Sequence, residues 1–180
     1  MKADRVGFPP LHHRSILPTS NKAGDNIIKI IQDTREQNPL KFKHPHITEV
    51  IVKKLSVGDY GCQYEDGFVV PVYFERKSIG DLWGTMTKGY TRFKKEIDRV
   101  KEADVLMFIA IEGSYTKVSK GYRYSKVKGI SIHRTLNTIY LKYGIKAMYC
   151  TTRVEMAAQI AEFYSSYGKL RYMQARGSKR

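Results

Sequence analysis

Residues 104–111 (DVLMFIAI) carry a charge only at their first position, and the rest of the run is apolar without a break. A strand with one wet face alternates apolar and polar side chains, because successive residues point to opposite sides of a sheet. An unbroken run instead fits a strand covered on both faces, which requires helices above and below it. Residues 26–32 (NIIKIIQ) form a second β-branched run of strand length. Further strands are predicted over 48–55 (TEVIVKKL), 68–75 (FVVPVYFE) and 145–150 (IKAMYC). Pro71 has no N–H for a ladder, so it marks a bulge or an edge in the 68–75 run.

Between the strands the apolar period changes to that of a helix. Tyr90, Phe93, Ile97 and Val100 share one face over residues 90–101. Ile132, Leu136, Ile139 and Tyr143 do so over 130–143, and Ala157, Ile160, Ala161 and Tyr164 over 153–167. Gly144 and Gly168 are placed to stop these last two helices. Residues 78–87 predict a short helix with Ser78 at its N-cap. Residues 37–47 (QNPLKFKHPHI) hold two prolines and no period, so they read as a loop, and His44 and His46 as loop residues. The expected fold class is α/β, a mixed β-sheet flanked by α-helices. At 180 residues one domain is expected, burying about 70% of its extended surface. Residues 1–25, with Pro9, Pro10 and Pro18, read as a flexible basic arm, 26–168 as the folded domain and 169–180 as a basic tail.

The charge balance narrows the partners. Lys and Arg number 32 against 17 Asp and Glu, a net +15 that points to a polyanion. A membrane surface is the weaker explanation, since no basic amphipathic helix stands apart from the core. No apolar run approaches the roughly 18 residues of a membrane span, and the N-terminus lacks a signal-peptide pattern, so a soluble intracellular protein is expected. Cys62 and Cys150 stand far apart and outside any Cys-x-x-Cys pattern, which predicts reduced thiols without zinc or disulfide. No Walker loop or G-x-G-x-x-G is present, so no nucleotide cofactor is expected. Between Glu112 and Glu155 there are nine Lys or Arg and no acid. Within that stretch Tyr115, Lys117, Lys120, Tyr122, Arg123, Tyr124 and Lys126 interleave rings and cations. Such a loop can follow phosphates and stack on unpaired bases, or it can be a solvated basic loop. Arg92, Lys94, Lys95 and Arg99 lie off the apolar stripe of the 90–101 helix and extend the cationic surface.

The chemistry gathers at Gly58-Asp59-Tyr60 and at Glu75-Arg76-Lys77. If residues 72–77 are a strand, Glu75 and Lys77 project from the same face. A reversal at residues 63–67 (QYEDG) makes the flanking runs neighbours and can bring Asp59 to Glu75, since paired strands lie about 5 Å apart. Two carboxylates in one small space repel unless a hard divalent cation lies between them. Few protein ligands, all of them oxygen, suit Mg2+ or Mn2+. Lys77 would then orient or deprotonate an attacking water, or stabilise charge at the phosphate.

These residues resemble the nuclease domain of the XPF (xeroderma pigmentosum group F) family of structure-specific endonucleases, a branch of the PD-(D/E)XK nuclease superfamily. The matching residues are Gly58-Asp59-Tyr60, the Glu75-Arg76-Lys77 set followed by Ser78-Ile79-Gly80-Asp81-Leu82, and, upstream, Asp33-Thr34-Arg35-Glu36. Tyr90 stands where the family often has arginine, with Arg92 and Lys94 as the nearest substitutes. The resemblance implies a restriction-endonuclease-like sheet and an Mg2+- or Mn2+-dependent endodeoxyribonuclease acting on branched or forked DNA. It implies Asp33 as a further metal-site acid beside Asp59 and Glu75, with Arg76 and Lys77 completing the catalytic set. Arg35 would be a phosphate fork and Glu36 its partner or a supporting acid. Asp81 would orient Arg76 or Lys77, or simply favour its helix N-terminus. A homodimer is implied. The expected location is the cytoplasm of a prokaryote or a phage host rather than a nucleus. The alternatives are a non-catalytic DNA-binding or dimer-scaffolding subunit and a Holliday-junction resolvase of the same superfamily.

Overall fold

A computed structural model describes the backbone of residues 27–177 and the side chains of residues 27–174. The basic arm expected over residues 1–25 and the last three residues of the tail lie outside them. Six strands form one sheet: β1 (Ile28–Gln32), β2 (Ile47–Val52), β3 (Tyr60–Tyr64), β4 (Val72–Lys77), β5 (Leu106–Glu112) and β6 (Lys146–Cys150). The helices are α1 (Ile79–Met86), α2 (Tyr90–Glu102), α3 (Tyr115–Ser119), α4 (Gly129–Tyr143) and α5 (Arg153–Gly177). The spatial order is β2-β1-β3-β4-β5-β6. Pairs β1/β2, β4/β5 and β5/β6 are parallel, while β1/β3 and β3/β4 are antiparallel, so the sheet is mixed.

The uninterrupted run becomes β5, an interior strand with apolar cores on both sides. Ile30, Tyr60, Val72 and Phe74 pack with Met156, Ile160 and Tyr164 of α5 on one face. On the other, Met107, Ile109 and Ile111 pack with Leu82 and Trp83 of α1, Phe93 and Ile97 of α2, Val118 of α3 and Ile132 and Leu136 of α4. Both cysteines are buried and unpaired.

The structure differs from the sequence reading at four places. Residues 60–64 (YGCQY), the run that follows Asp59, form a strand buried along nearly its whole length that continues through residues 63 and 64, where the turn was expected. Gly61 and Gln63 hide its period, and the strand persists because it is paired on both sides. Residues 68–71 are not strand apart from one isolated bridge, Gln63 with Val69. Pro71 falls just before β4, where its carbonyl still accepts from Leu106 N–H at 2.9 Å, so it ends the ladder at an interior strand rather than at an edge. Residues 115–119 are helical, with Ser114 as the N-cap. Gly168 does not stop α5, which runs on to Gly177. A helical glycine costs about 1 kcal/mol against alanine, and an anchor beyond it outweighs that cost. Arg171 bonds Asp66 at 2.7 Å and lies 4.2 Å over the Phe68 ring, tying the helix to the β3–β4 turn.

Gly144 is the expected left-handed cap of α4, at φ 71°. No helix among the described residues is long and apolar enough to cross a membrane.

Candidate active site

The site forms where β3 begins and β4 ends. Gly58 has φ +68°, and a Cβ there would stand 3.1 Å from both Phe74 O and Tyr73 Cβ, so only glycine lets the chain approach β4 this closely. Asp59 follows directly. Its N–H donates to Phe74 O at 2.8 Å, its carbonyl accepts from Asp33 N–H at 2.8 Å, and its Oδ2 accepts from Arg76 N–H at 2.8 Å. On β4 the alternation sends Glu75 and Lys77 to the face carrying α1 and α2, and Arg76 to the face carrying α5. Lys77 Nζ donates to Glu75 Oε1 and lies 5.9 Å over the ring of Phe93. Asp59, Glu75 and Lys77 line a cleft of about 430 Å³ whose other walls include Arg35, Arg92, Lys95, Glu96 and Arg99.

Burial pushes the Asp59 carboxyl up to about 6, with the negative charges of Glu36 and Glu96 adding to it. Burial and then the negative charge of Asp59 push Glu75 up to about 8. Burial opposes the Lys77 ammonium, but Glu75 beside it, with Glu96 and Asp59, more than offsets that and raises its pKa. The site therefore disfavours two bare carboxylates and keeps its amine charged. A hard divalent cation fits this donor set, since Mg2+ commonly binds through one or two carboxylates and completes its shell with water and phosphate oxygens. Among the described residues no group of three or more His, Cys, Asp or Glu is arranged to hold a metal.

A pH dependence follows. The folded chain holds the Glu75 and Asp59 protons more tightly than the unfolded chain, so each contribution to stability is full below the ordinary carboxyl value, 3.8 for Asp59 and 4.5 for Glu75. It is lost as pH rises through about 6 and about 8. In EDTA the Tm should fall between pH 5 and pH 8.5, and Glu75→Gln should flatten that fall. A Tm profile identical in the two proteins would refute it.

Several expected site residues have other partners. Both Asp33 oxygens are taken: Oδ1 by Arg35 Nε at 2.6 Å and by Arg35 N–H at 2.8 Å, Oδ2 by Leu55 N–H at 2.6 Å. Burial alone would raise its carboxyl, yet these bonds hold it below the ordinary value. Asp33 thus holds Arg35, which lines the cleft, and is not itself among the residues lining it. Glu36 is not the partner of Arg35. It takes Arg76 in a two-pronged pair, Nε to Oε2 at 2.7 Å and Nη2 to Oε1 at 2.8 Å. Arg76 Nη1 also donates to Glu112 at 2.8 Å, and Arg153 meets the same Glu112 oxygen at 2.6 Å. The Arg76 side chain is therefore a clamp on the far face of the sheet, while its backbone N–H bonds Asp59 at the cleft. Asp81 bonds Ser78 Oγ at 2.6 Å at the N-terminus of α1, with no bond to Arg76 or Lys77 among the described contacts.

Of the expected DNA contacts, Arg92 and Lys95 line the cleft, whereas Lys94 is exposed outside it. Lys117, Lys120, Arg123, Tyr124 and Lys126 are exposed in and after α3, and Tyr122 is half-buried. Sequence reasoning missed Glu96, which accepts from Gly58 N–H at 3.5 Å and lines the cleft. Its spacing of four from Arg92 on α2 was the available signal.

The ERCC4 domain family profile matches residues 32–163, from the end of β1 through the rest of the sheet and into the first half of α5. No curated protein matches the chain. Among solved structures, XPF from Aeropyrum pernix is similar at 22% identity and a TM-score of 0.54, over 84% of this chain and 65% of that one. XPF from Aeropyrum pernix in complex with DNA is similar at 24% identity and a TM-score of 0.59, over 78% of this chain and 65% of that one. The chain thus spans about two thirds of the length of these structures' chains. On the profile match, the chain belongs to the ERCC4 domain family.

Proposed function

We propose that this chain is a structure-specific DNA endonuclease domain that hydrolyses phosphodiester bonds with Mg2+ or Mn2+. The carrying observation is the apposition of Asp59, Glu75 and Lys77 in a cleft walled by cations. Asp59 and Glu75 would hold the cation, which when bound supplies a water of lowered pKa and neutralises charge on the phosphate. Lys77, kept as an ammonium by Glu75, serves as a hydrogen-bond donor toward charge developing on the phosphate rather than as a base. Arg35, fixed by Asp33, together with Arg92, Lys95 and Arg99, positions the strand by its phosphates. Glu96 opposes these cations and keeps the nearby ammonium and guanidinium charged. The family membership and the net charge of +15 support the same reading, with branched DNA as substrate and a dimer as the working unit.

The test is cleavage of forked, flapped and four-way DNA with Mg2+ and with EDTA. Cutting that appears only with the metal supports the proposal, and tight binding without cutting would leave a scaffolding subunit. If about six cations meet phosphates, affinity should fall with salt at a log-log slope of about −5.

A further inference from the structure

The segment after α3 makes a mount of one tyrosine and leaves another bare. Tyr122 is half-buried, its ring 5.8 Å from that of Trp83, and its hydroxyl lies 3.1 Å from where a Cβ on Gly80 would stand. Gly80 is in the first turn of α1, three residues beyond Lys77, so this contact ties the segment to the start of the helix that follows the strand carrying Lys77. Backbone and side-chain bonds stiffen it: Ser125 N–H donates to Tyr122 O at 2.9 Å, Trp83 Nε1–H to Val127 O at 3.0 Å, and Val127 N–H to Ser125 Oγ at 3.2 Å.

On this mount Tyr124 is 69% exposed. Its ring meets Tyr122 edge-on at 5.3 Å and 75°, and the Arg123 guanidinium lies 4.4 Å over it. The ring is thus oriented by two neighbours before any ligand arrives, which lowers the entropy lost when something stacks on it. Lys117, Lys120 and Lys126 are exposed within seven residues of it along the chain, in a stretch without a single acid between Glu112 and Glu155. A planar, presented ring among cations suits a planar ligand that carries phosphate. Duplex DNA keeps the faces of its bases covered, whereas a single strand offers them.

We infer that Tyr124 is a stacking platform for an unpaired nucleobase, with Arg123 and the neighbouring lysines on the phosphates of the same strand. The inference deepens the proposed function and rests on it: the preferred substrate carries a single strand beside the duplex at the cleft.

The test measures binding in EDTA, apart from cleavage, using an oligo(dT) with one 2-aminopurine and a blunt duplex. Tyr124→Ala should weaken single-strand binding by about tenfold and abolish the quenching of 2-aminopurine, while duplex affinity stays within about twofold. Tyr124→Trp should restore both readouts. Unchanged binding and quenching in Tyr124→Ala, or an equal loss on the duplex, would overturn the inference. Cleavage with Mg2+ is scored separately. A chain that stacks but never cuts keeps the platform and loses the nuclease reading, and a chain that cuts while its Tyr124→Ala variant keeps full binding and quenching does the reverse.

Discussion

Asp59→Asn and Glu75→Gln should each lower Mg2+-dependent cleavage by about a thousandfold or more, because each removes a charged ligand whose cation contributes several kcal/mol of transition-state stabilisation. Affinity for the same DNA in EDTA should stay within about threefold, since the phosphate-facing cations are untouched. Neither change should unfold the chain. In Asp59→Asn the amide would keep an oxygen for the Arg76 N–H, which the Asp59 carboxylate accepts at 2.8 Å. In Glu75→Gln the carboxyl that burial and Asp59 push up is gone, so the stability of that variant at pH 8 should hold or rise. The measurement is single-turnover cleavage beside a binding isotherm. An equal loss in both would show that these acids hold the fold or the DNA rather than the reaction.

The second large effect lies one residue away. Arg76→Ala should destabilise the chain by about 3–5 kcal/mol, the usual cost of leaving a buried charge without its partner. Glu36, whose side chain is 3% exposed, would lose both prongs of its pair, and Glu112 would keep only Arg153. For a domain of this size that corresponds to a Tm lower by on the order of 10 °C. Arg76→Lys should rescue it poorly, since an ammonium cannot make the two-pronged contact. Replacing Arg76 and Glu36 together by Met and Gln should cost less than Arg76→Ala alone. A Tm for Arg76→Ala within about 3 °C of the parent would remove the clamp from the account.

The parts legible in the sequence were those governed by period and by local geometry. The buried run at β5, the stripes of α2, α4 and α5, the caps at Ser78 and Gly144 and the same-face placement of Glu75 and Lys77 all follow from spacing. What stayed hidden was set by partners far along the chain or by competition between neighbours. Arg35 stands two residues from Asp33 and takes its carboxylate, while Glu36 reaches across 40 residues to Arg76. No spacing rule tells which guanidinium wins which acid. β3 looks unlike a strand because Gly61 and Gln63 break its pattern, and only its two neighbours make it one. The continuation of α5 past Gly168 depends on Arg171 finding Asp66, a contact 105 residues apart.

The two apolar faces of β4 carry a further consequence for how the sheet aligns. Val72 and Phe74 fill the core on one side and Tyr73 packs into the other, so shifting the strand by a single residue along β5 would still bury oily side chains on both sides. Hydrophobicity alone would penalise such slippage weakly. The charged end does discriminate: a shifted β4 would thrust the guanidinium of Arg76 among the cleft acids and strand Glu36 and Glu112 without it. The ionic clamp thereby acts as a key that admits one alignment of the central strands, and the alignment it admits is the one that aims the reactive pair at the cleft.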